Sequence, residues 1–248
     1  MNKIKVNTII TLVIAIFCFT HKLEAQNNVD TNRTLSRTEQ SIVSIAALTA
    51  RGDLPKLKTG LNTGLKAGLT VNEIKEVLVH LYAYCGFPRS IRGLQTFVEV
   101  LDERKAKGVS DKTENDASPI NNKGSKYERG KKILGTLTQT PQPDAPTGYS
   151  AFAPVIDTFL KEHLFADIFE RDVLTYRERE LVTVSVLSTI GGVEPMLHSH
   201  LNICLNVGLT PKQLLQFVDI IKSTVGKKEA TAARIVLDEV LKTRSNLN

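Results

Sequence analysis

The chain has no tryptophan, only three cysteines and 6% aromatic residues in 248 positions. So few cysteines cannot staple a disulfide scaffold, and the apolar runs are too few and too short for a polytopic membrane protein. An apolar fraction of 42% beside 23% charged residues excludes a wholly disordered chain and a coiled-coil rod, because that much apolar surface fills a packed core. Alternating strand patterns and hairpin dipeptides such as Asn-Gly are missing as well. What is left is a globular chain built from helices.

The N-terminus is a separate matter. Lys3 and Lys5 precede an apolar run from Ile9 to Phe19, and Leu23-Glu24-Ala25 then offers a small residue before Gln26. This pattern reads as a cleavable secretory signal peptide, residues 1–25, and so predicts a secreted or periplasmic protein. A retained anchor is the alternative, although the run is short for a membrane span and Phe17 is too bulky to precede Cys18 at a lipoprotein cleavage site. Cleavage would remove three lysines and one glutamate, lowering the formal charge from +6 to +4. That excess is too mild to argue for nucleic acid, and the mature chain contains no membrane span. Cys85 and Cys204 remain; they could pair in an oxidising compartment, but without a Cys-x-x-Cys spacing they read as two small buried hydrophobes.

Internal similarity carries the fold. Ala67-Gly68-Leu69-Thr70 matches Val207-Gly208-Leu209-Thr210 at an offset of 140, as do Leu57, Leu61, Asn62 and Leu65 with Leu197, Leu201, Asn202 and Leu205. Upstream the offset is 139, placing Leu35-Ser36 on Leu174-Thr175, so the second copy carries one extra residue near Gly191-Gly192. The copies span about residues 35–107 and 174–245. Ser36-x-x-Glu39 and Thr175-x-x-Glu178 are matched capping boxes, and Thr70-x-x-Glu73 and Thr210-x-x-Gln213 form a second matched pair after Gly68 and Gly208, which read as left-handed helix ends. Each copy therefore predicts a helix, a turn, a helix ending at that glycine, a third helix and a long fourth. The fold class is all-α, two tandem helical repeats. Residues 108–125 between them are polar and read as an exposed linker without a fixed course, and 126–248 as the second repeat with a helical leader. In that leader Tyr127–Leu137 predicts a short helix, and Tyr149–Phe169 an apolar helical stretch with Phe152, Val155, Phe159, Leu160, Leu164 and Phe165 available for packing.

The second copy holds the residues that can carry chemistry: Glu180 early in one helix, then Glu194, His198 and His200 along the next. At about 100° per residue His198 and His200 point roughly 200° apart and cannot face one site, so this His-x-His string is a poor metal site, and no cofactor is implied. Cys204 shares a face with His200, and His198 with Glu194.

The segments RERELVTVSVLSTIGGVEPMLHSHLNICLNVGLT and LNTGLKAGLTVNEIKEVLVHLYAYCGFPRSIRGLQ resemble the carboxymuconolactone decarboxylase family, an all-helical family that includes alkylhydroperoxidase D. The first copy supplies the Tyr84-Cys85-Gly86-Phe87-Pro88 segment, and the second supplies the arginine- and glutamate-rich helix start and His200. Gly130–Gly135 and the Phe152–Phe169 stretch are similar to the leader of the decarboxylase itself. The resemblance implies Glu180 and His200 as proton-handling groups. The two thiols of the peroxidase branch would fall at about Val193 and Met196, which removes that branch's nucleophile and resolving group.

Acid/base chemistry on a small organic acid or lactone is thus the expected function, lyase-type and decarboxylase-like, with Glu180, His200 and His198 as catalytic candidates. Ser41 and Gly60 stand where Glu180 and His200 would be in the first copy, so that copy is expected to act as a scaffold, with His80 and Tyr82 or Tyr84 reaching a shared substrate pocket. Each residue also has a plainer reading. Glu180 suits a helix start near the dipole's positive end, His200 a satisfied core histidine, His198 a rim position, and Cys204 a tight spot between helices, since its counterpart is Gly64. Two other functions stay open: a peroxiredoxin-like thiol oxidoreductase, which would need Cys85 or Cys204, and a non-catalytic small-molecule binder. Helical repeats of this kind bury apolar faces against copies of themselves, so a homo-oligomer is expected.

Overall fold

Each helix of the first repeat begins where a side-chain oxygen can take an orphan amide, apart from the last. Ser36 and Glu39 close a capping box on α1 (Arg37–Arg51), Asp53 caps α2 (Leu54–Ala67), and Thr70 and Glu73 close a second box on α3 (Val71–His80). The long α4 (Tyr82–Ala106) follows directly and is kinked at Gly86, whose φ of 79° only glycine adopts without strain, just before Pro88. These elements belong to a computed structural model that describes residues 33–114, 116–120 and 123–246; the unit discussed runs from Thr34 onward. The signal-peptide reading of residues 1–25 lies outside the described residues.

The leader comprises α5 (Lys126–Thr138), α6 (Gly148–Phe152), α7 (Pro154–Phe159) and a π-helical segment, Leu160–Ile168, that continues α7. The second repeat then repeats the first as α8 (Tyr176–Ile190), α9 (Glu194–Asn206), α10 (Pro211–Thr224) and α11 (Lys227–Ser245). The boxes at Thr175/Glu178 and Thr210/Gln213 are both formed. Gly68 and Gly208 end their helices at φ of 108° and 90°, and the extra residue of the second copy lengthens the turn between α8 and α9. No strand occurs among the described residues, and no helix there is long and apolar enough to cross a membrane.

At the centre α1 lies against α8, each buried along most of its length. The third helix of each repeat packs on the first helix of the other, α10 on α1 and α3 on α8, so one apolar core draws residues from both copies. Polar ties follow the same exchange. Gln213 Nε2 donates to the Thr34 carbonyl and Gln216 Oε1 accepts from the Leu35 amide. Across the seam Arg177 meets Glu39 at 2.6 Å, and Glu76 on α3 receives both Arg171 and the fully buried Arg179.

Two expectations need correction. The Tyr149–Phe169 stretch is not one helix packed along its apolar face: Pro154 forces Ala153 out of helical geometry, and the chain turns there. Phe152 is consequently 92% exposed, and Val155 and Phe159 also face solvent, while Leu160 is half-buried and Leu164 and Phe165 pack with Ile133, Leu137 and Phe169 under α5. Gly130 makes that packing possible, since a Cβ there would run into the Lys161 backbone. The segment after α4 is exposed but follows a definite course. Arg104 grips Asp111 with two hydrogen bonds, the carbonyls of Lys112 and Thr113 accept the first free amides of α3, and Asp172 accepts the Ser118 amide.

The seam makes stability depend on pH. Burial alone would raise the Glu76 carboxyl, but hydrogen bonds and charge from Arg171 and Arg179 outweigh it and hold the group below its ordinary 4.5; Arg177 does the same for Glu39. Burial, then the charge of Arg179 and of His200, hold His80 well below its ordinary 6.5. All three groups bind protons more readily unfolded than folded, so each contributes stability that is complete above its unfolded value and lost as pH falls toward its folded one. Urea unfolding is therefore expected to weaken in two stages, first below about pH 6.5 and again below about 4.5. The first stage should disappear in His80→Gln; a flat profile from pH 7 to 5 in the parent chain would contradict the assignment.

Candidate active site

Helix α8 turns Glu180 inward one position after Arg179, and α9 brings His200 beside it. Glu180 Oε2 lies 2.8 Å from His200 Nδ1, with the carboxylate side chain wholly buried and the imidazole 13% exposed. A carboxylate only accepts, so His200 donates through Nδ1–H, and in the neutral ring Nε2 is left as an acceptor. Nε2 has no partner among the described residues. The dipole reading of Glu180 therefore gives way to a specific contact: Glu178 is the cap, and Glu180 orients an imidazole.

The first repeat completes the surroundings. Tyr84 sets its ring edge-on to His200 at 5.9 Å and stacks on His80 at 5.6 Å, and His80 in turn meets Phe169 of the leader at 5.2 Å. Tyr84 Oη and Glu180 Oε1 are both buried without a hydrogen-bond partner. Burial, and next the neighbouring Glu180 charge, push the Tyr84 phenol well up, so it is a neutral donor at any ordinary pH. Both polar atoms are enclosed in the protein, and Thr183 is the side chain that acts on the Tyr84 hydroxyl.

The other candidates are placed differently. His80 does not reach a substrate pocket: it is fully buried behind Tyr84, with Nε2 2.9 Å from Thr183 Oγ1 and Nδ1 3.3 Å from the Arg179 guanidinium. Because Arg179 can only donate, His80 must carry its proton on Nε2, which makes it a support for Tyr84. Tyr82 stacks on Phe87 at 4.7 Å and touches His163 edge-on, outside the Glu180–His200 pair. His198 is half-buried on another face of α9, and its ring has no partner among the described residues. Met196 stands one helical turn before His200 and Val193 two, at the start of α9, and the thiol nearest to His200 in the chain is Cys204, one turn after it.

Neither thiol is activated. Cys85 Sγ donates to the Leu81 carbonyl, and burial lifts it to about 11 against the weaker opposing charge of Arg89. Cys204 is fully buried, pushed up by that burial and by the charge of Glu180. The two cysteines are not joined. Gly64, the counterpart of Cys204, is also crowded, since a Cβ there would lie 3.0 Å from Ile45.

Sequence reasoning missed Arg179, Thr183 and Glu76. The internal repeat offered one clue, since Arg179 and Thr183 replace Gln40 and Ser44 beside the Ser41 that Glu180 replaces. Glu76 gave none, its arginine partners lying 95 and 103 residues away.

An all-helical pair of repeats with a buried glutamate behind one histidine defines the class. Residues 21–99 and 154–239, well over half of the chain, match the carboxymuconolactone decarboxylase family, and the chain belongs to it as two tandem copies. No curated protein matches the chain.

A thiol with its proton held to about 11 is almost wholly protonated at pH 7.5. Iodoacetamide is expected to label the native protein slowly at pH 7.5, faster as pH passes 9, and fully only in denaturant, where Cys204 is released. Rapid stoichiometric labelling of native protein at pH 7 would show that burial does not control these thiols.

Proposed function

We propose that this protein carries out lyase-type acid/base chemistry, decarboxylase-like, on a small organic acid or lactone. The observation that carries the reading is the 2.8 Å contact of Glu180 with His200 Nδ1, which leaves Nε2 free at the protein surface. Glu180 fixes the tautomer and direction of the ring, and His200 exchanges a proton between solvent and the reacting carbon. In a decarboxylation the carbon–carboxylate bond breaks, its electron pair stays on a carbon next to a carbonyl, carbon dioxide leaves, and the protonated imidazole returns one proton to that carbon. No oxidant or reductant is consumed. Tyr84, supplied by the other repeat, sets its ring edge-on to His200 with its hydroxyl buried, which makes it a positioning residue for the imidazole.

A thiol-peroxidase reading finds little support in a Cys85 raised to about 11 and a Cys204 without solvent access. Export through residues 1–25 belongs to the same proposal, as does self-association, which exposed Phe87, Phe152, Val155 and Phe159 favour. Sedimentation velocity is expected to give a multiple of the chain mass that Phe152→Glu with Phe159→Glu lowers; a monomer at all concentrations would remove the oligomer from the proposal.

Screening the purified protein against small carboxylic acids and lactones tests the chemistry. Turnover is expected to fall about 10²–10⁴-fold in His200→Gln and a comparable amount in Glu180→Gln, more in Tyr84→Ala than in Tyr84→Phe, which keeps the ring, with Cys85→Ser unchanged. Dithiol-dependent peroxide consumption that vanishes in a cysteine variant and survives His200→Gln would overturn the reading.

A further inference from the structure

The repeats place a second cavity where internal symmetry puts the counterpart of the His200 site. Ser41 occupies the Glu180 position, Gly60 the His200 position and Thr224 the Tyr84 position, and all three line one open pocket of about 580 Å³ between α1, α2 and the end of α10. That volume lies within the range of small-ligand sites. The large side chains of the second repeat are missing here, and among the described residues no segment covers the pocket as the leader does with Leu137, Phe165 and Phe169, which pack against Ile203 on α9. The position equivalent to Ile203 is Thr63, which faces the open pocket instead.

The lining has one sign of charge. Arg37, Lys56 and Lys66 border the pocket, and no carboxylate does among the described residues. Lys56 has Asp53 at 3.3 Å, whereas Arg37 and Lys66 have no ion-pair or hydrogen-bond partner among the described residues. The rest of the wall is built from short side chains, Leu48 and Ala67 together with hydroxyls such as Ser44, Thr59 and Thr224, and Gly60 adds a position without a side chain next to Leu48. Two unpaired cations bordering a wall of short apolar and hydroxyl side chains suit a small anion with a compact body.

From this geometry we infer that the first repeat is a binding site for a small aromatic or aliphatic monocarboxylate, held by Arg37 and Lys66 over Gly60. The site binds without turning over, because it has neither imidazole nor buried carboxylate. It goes beyond the chemistry proposed for Glu180 and His200 and stands independently of it.

A ligand-detected NMR titration of the full chain with 4-fluorobenzoate at low ionic strength, where such contacts are least screened, tests the site. Expected are saturable binding with Kd on the order of a millimolar, at least about fivefold weakening in the Arg37→Gln/Lys66→Gln double variant, and little binding of uncharged 4-fluorobenzamide. His200→Gln should bind 4-fluorobenzoate as the parent does. Gly60→Leu, a helix-compatible change that fills the floor, should lose the ligand while keeping its helical circular dichroism. Equal binding by the double variant, equal binding of the amide, no saturation in the millimolar range, or loss in His200→Gln alone would each overturn the inference.

Discussion

The fully buried guanidinium of Arg179 is the constraint around which the seam between the repeats is organised. A charge taken out of water is tolerated only when paired and hydrogen-bonded, and removing one partner from such a pair costs about 3–5 kcal/mol. Both terminal nitrogens of Arg179 are engaged, by Glu76 from the other repeat at 3.2 Å, the Arg171 carbonyl at 2.6 Å and the ring of His80 at 3.3 Å, while Nε is buried without a partner. Those contacts pin α3 to α8. Through His80 they also fix Tyr84, which stacks on that ring, and Tyr84 stands edge-on to His200. A polar requirement one residue away from Glu180 therefore sets the position of an aromatic group supplied by a different copy of the fold.

Much of the frame was legible because its signals are local. A capping box spans four residues and a left-handed glycine one, so Ser36/Glu39, Thr70/Glu73, Thr175/Glu178, Thr210/Gln213, Gly68 and Gly208 could be read directly, and the repeat gave each reading a second witness. Proline was the local signal given too little weight: Pro154 broke the leader's helix and sent Phe152 into solvent. The seam was not legible, because Glu76 is an ordinary helix residue by spacing and composition and its meaning depends on arginines about a hundred positions away. For the site, spacing separated His198 from His200, and the family resemblance paired His200 with Glu180. Neither could say that Tyr84 would arrive at the imidazole while Tyr82, two residues earlier, would turn to Phe87 and His163.

The two copies differ less in backbone than in what fills the angle between their first and second helices. In the second copy Glu180, His200 and Tyr84 occupy it, and the leader seals the outer side with Leu137, Phe165 and Phe169. In the first, small residues leave the same angle open to solvent between cationic side chains. Burial behind a leader strengthens a carboxylate–imidazole contact by lowering the local dielectric, and it limits solvent access to one edge of the ring. Openness does the reverse, weakening each contact and admitting exchange. One duplicated helical frame thereby holds two environments of different polarity.

Glu180 itself shows why the pair sits on this frame. Its neighbour in sequence is Arg179, yet helix geometry turns the two side chains to different sides of α8, so the nearest cation in the chain is spent on Glu76 and does not neutralise Glu180. Glu76 keeps Arg179 occupied, His200 takes one oxygen of Glu180, and the other oxygen is buried without a partner. The buried salt bridge at the seam thus leaves Glu180 to His200 without touching it.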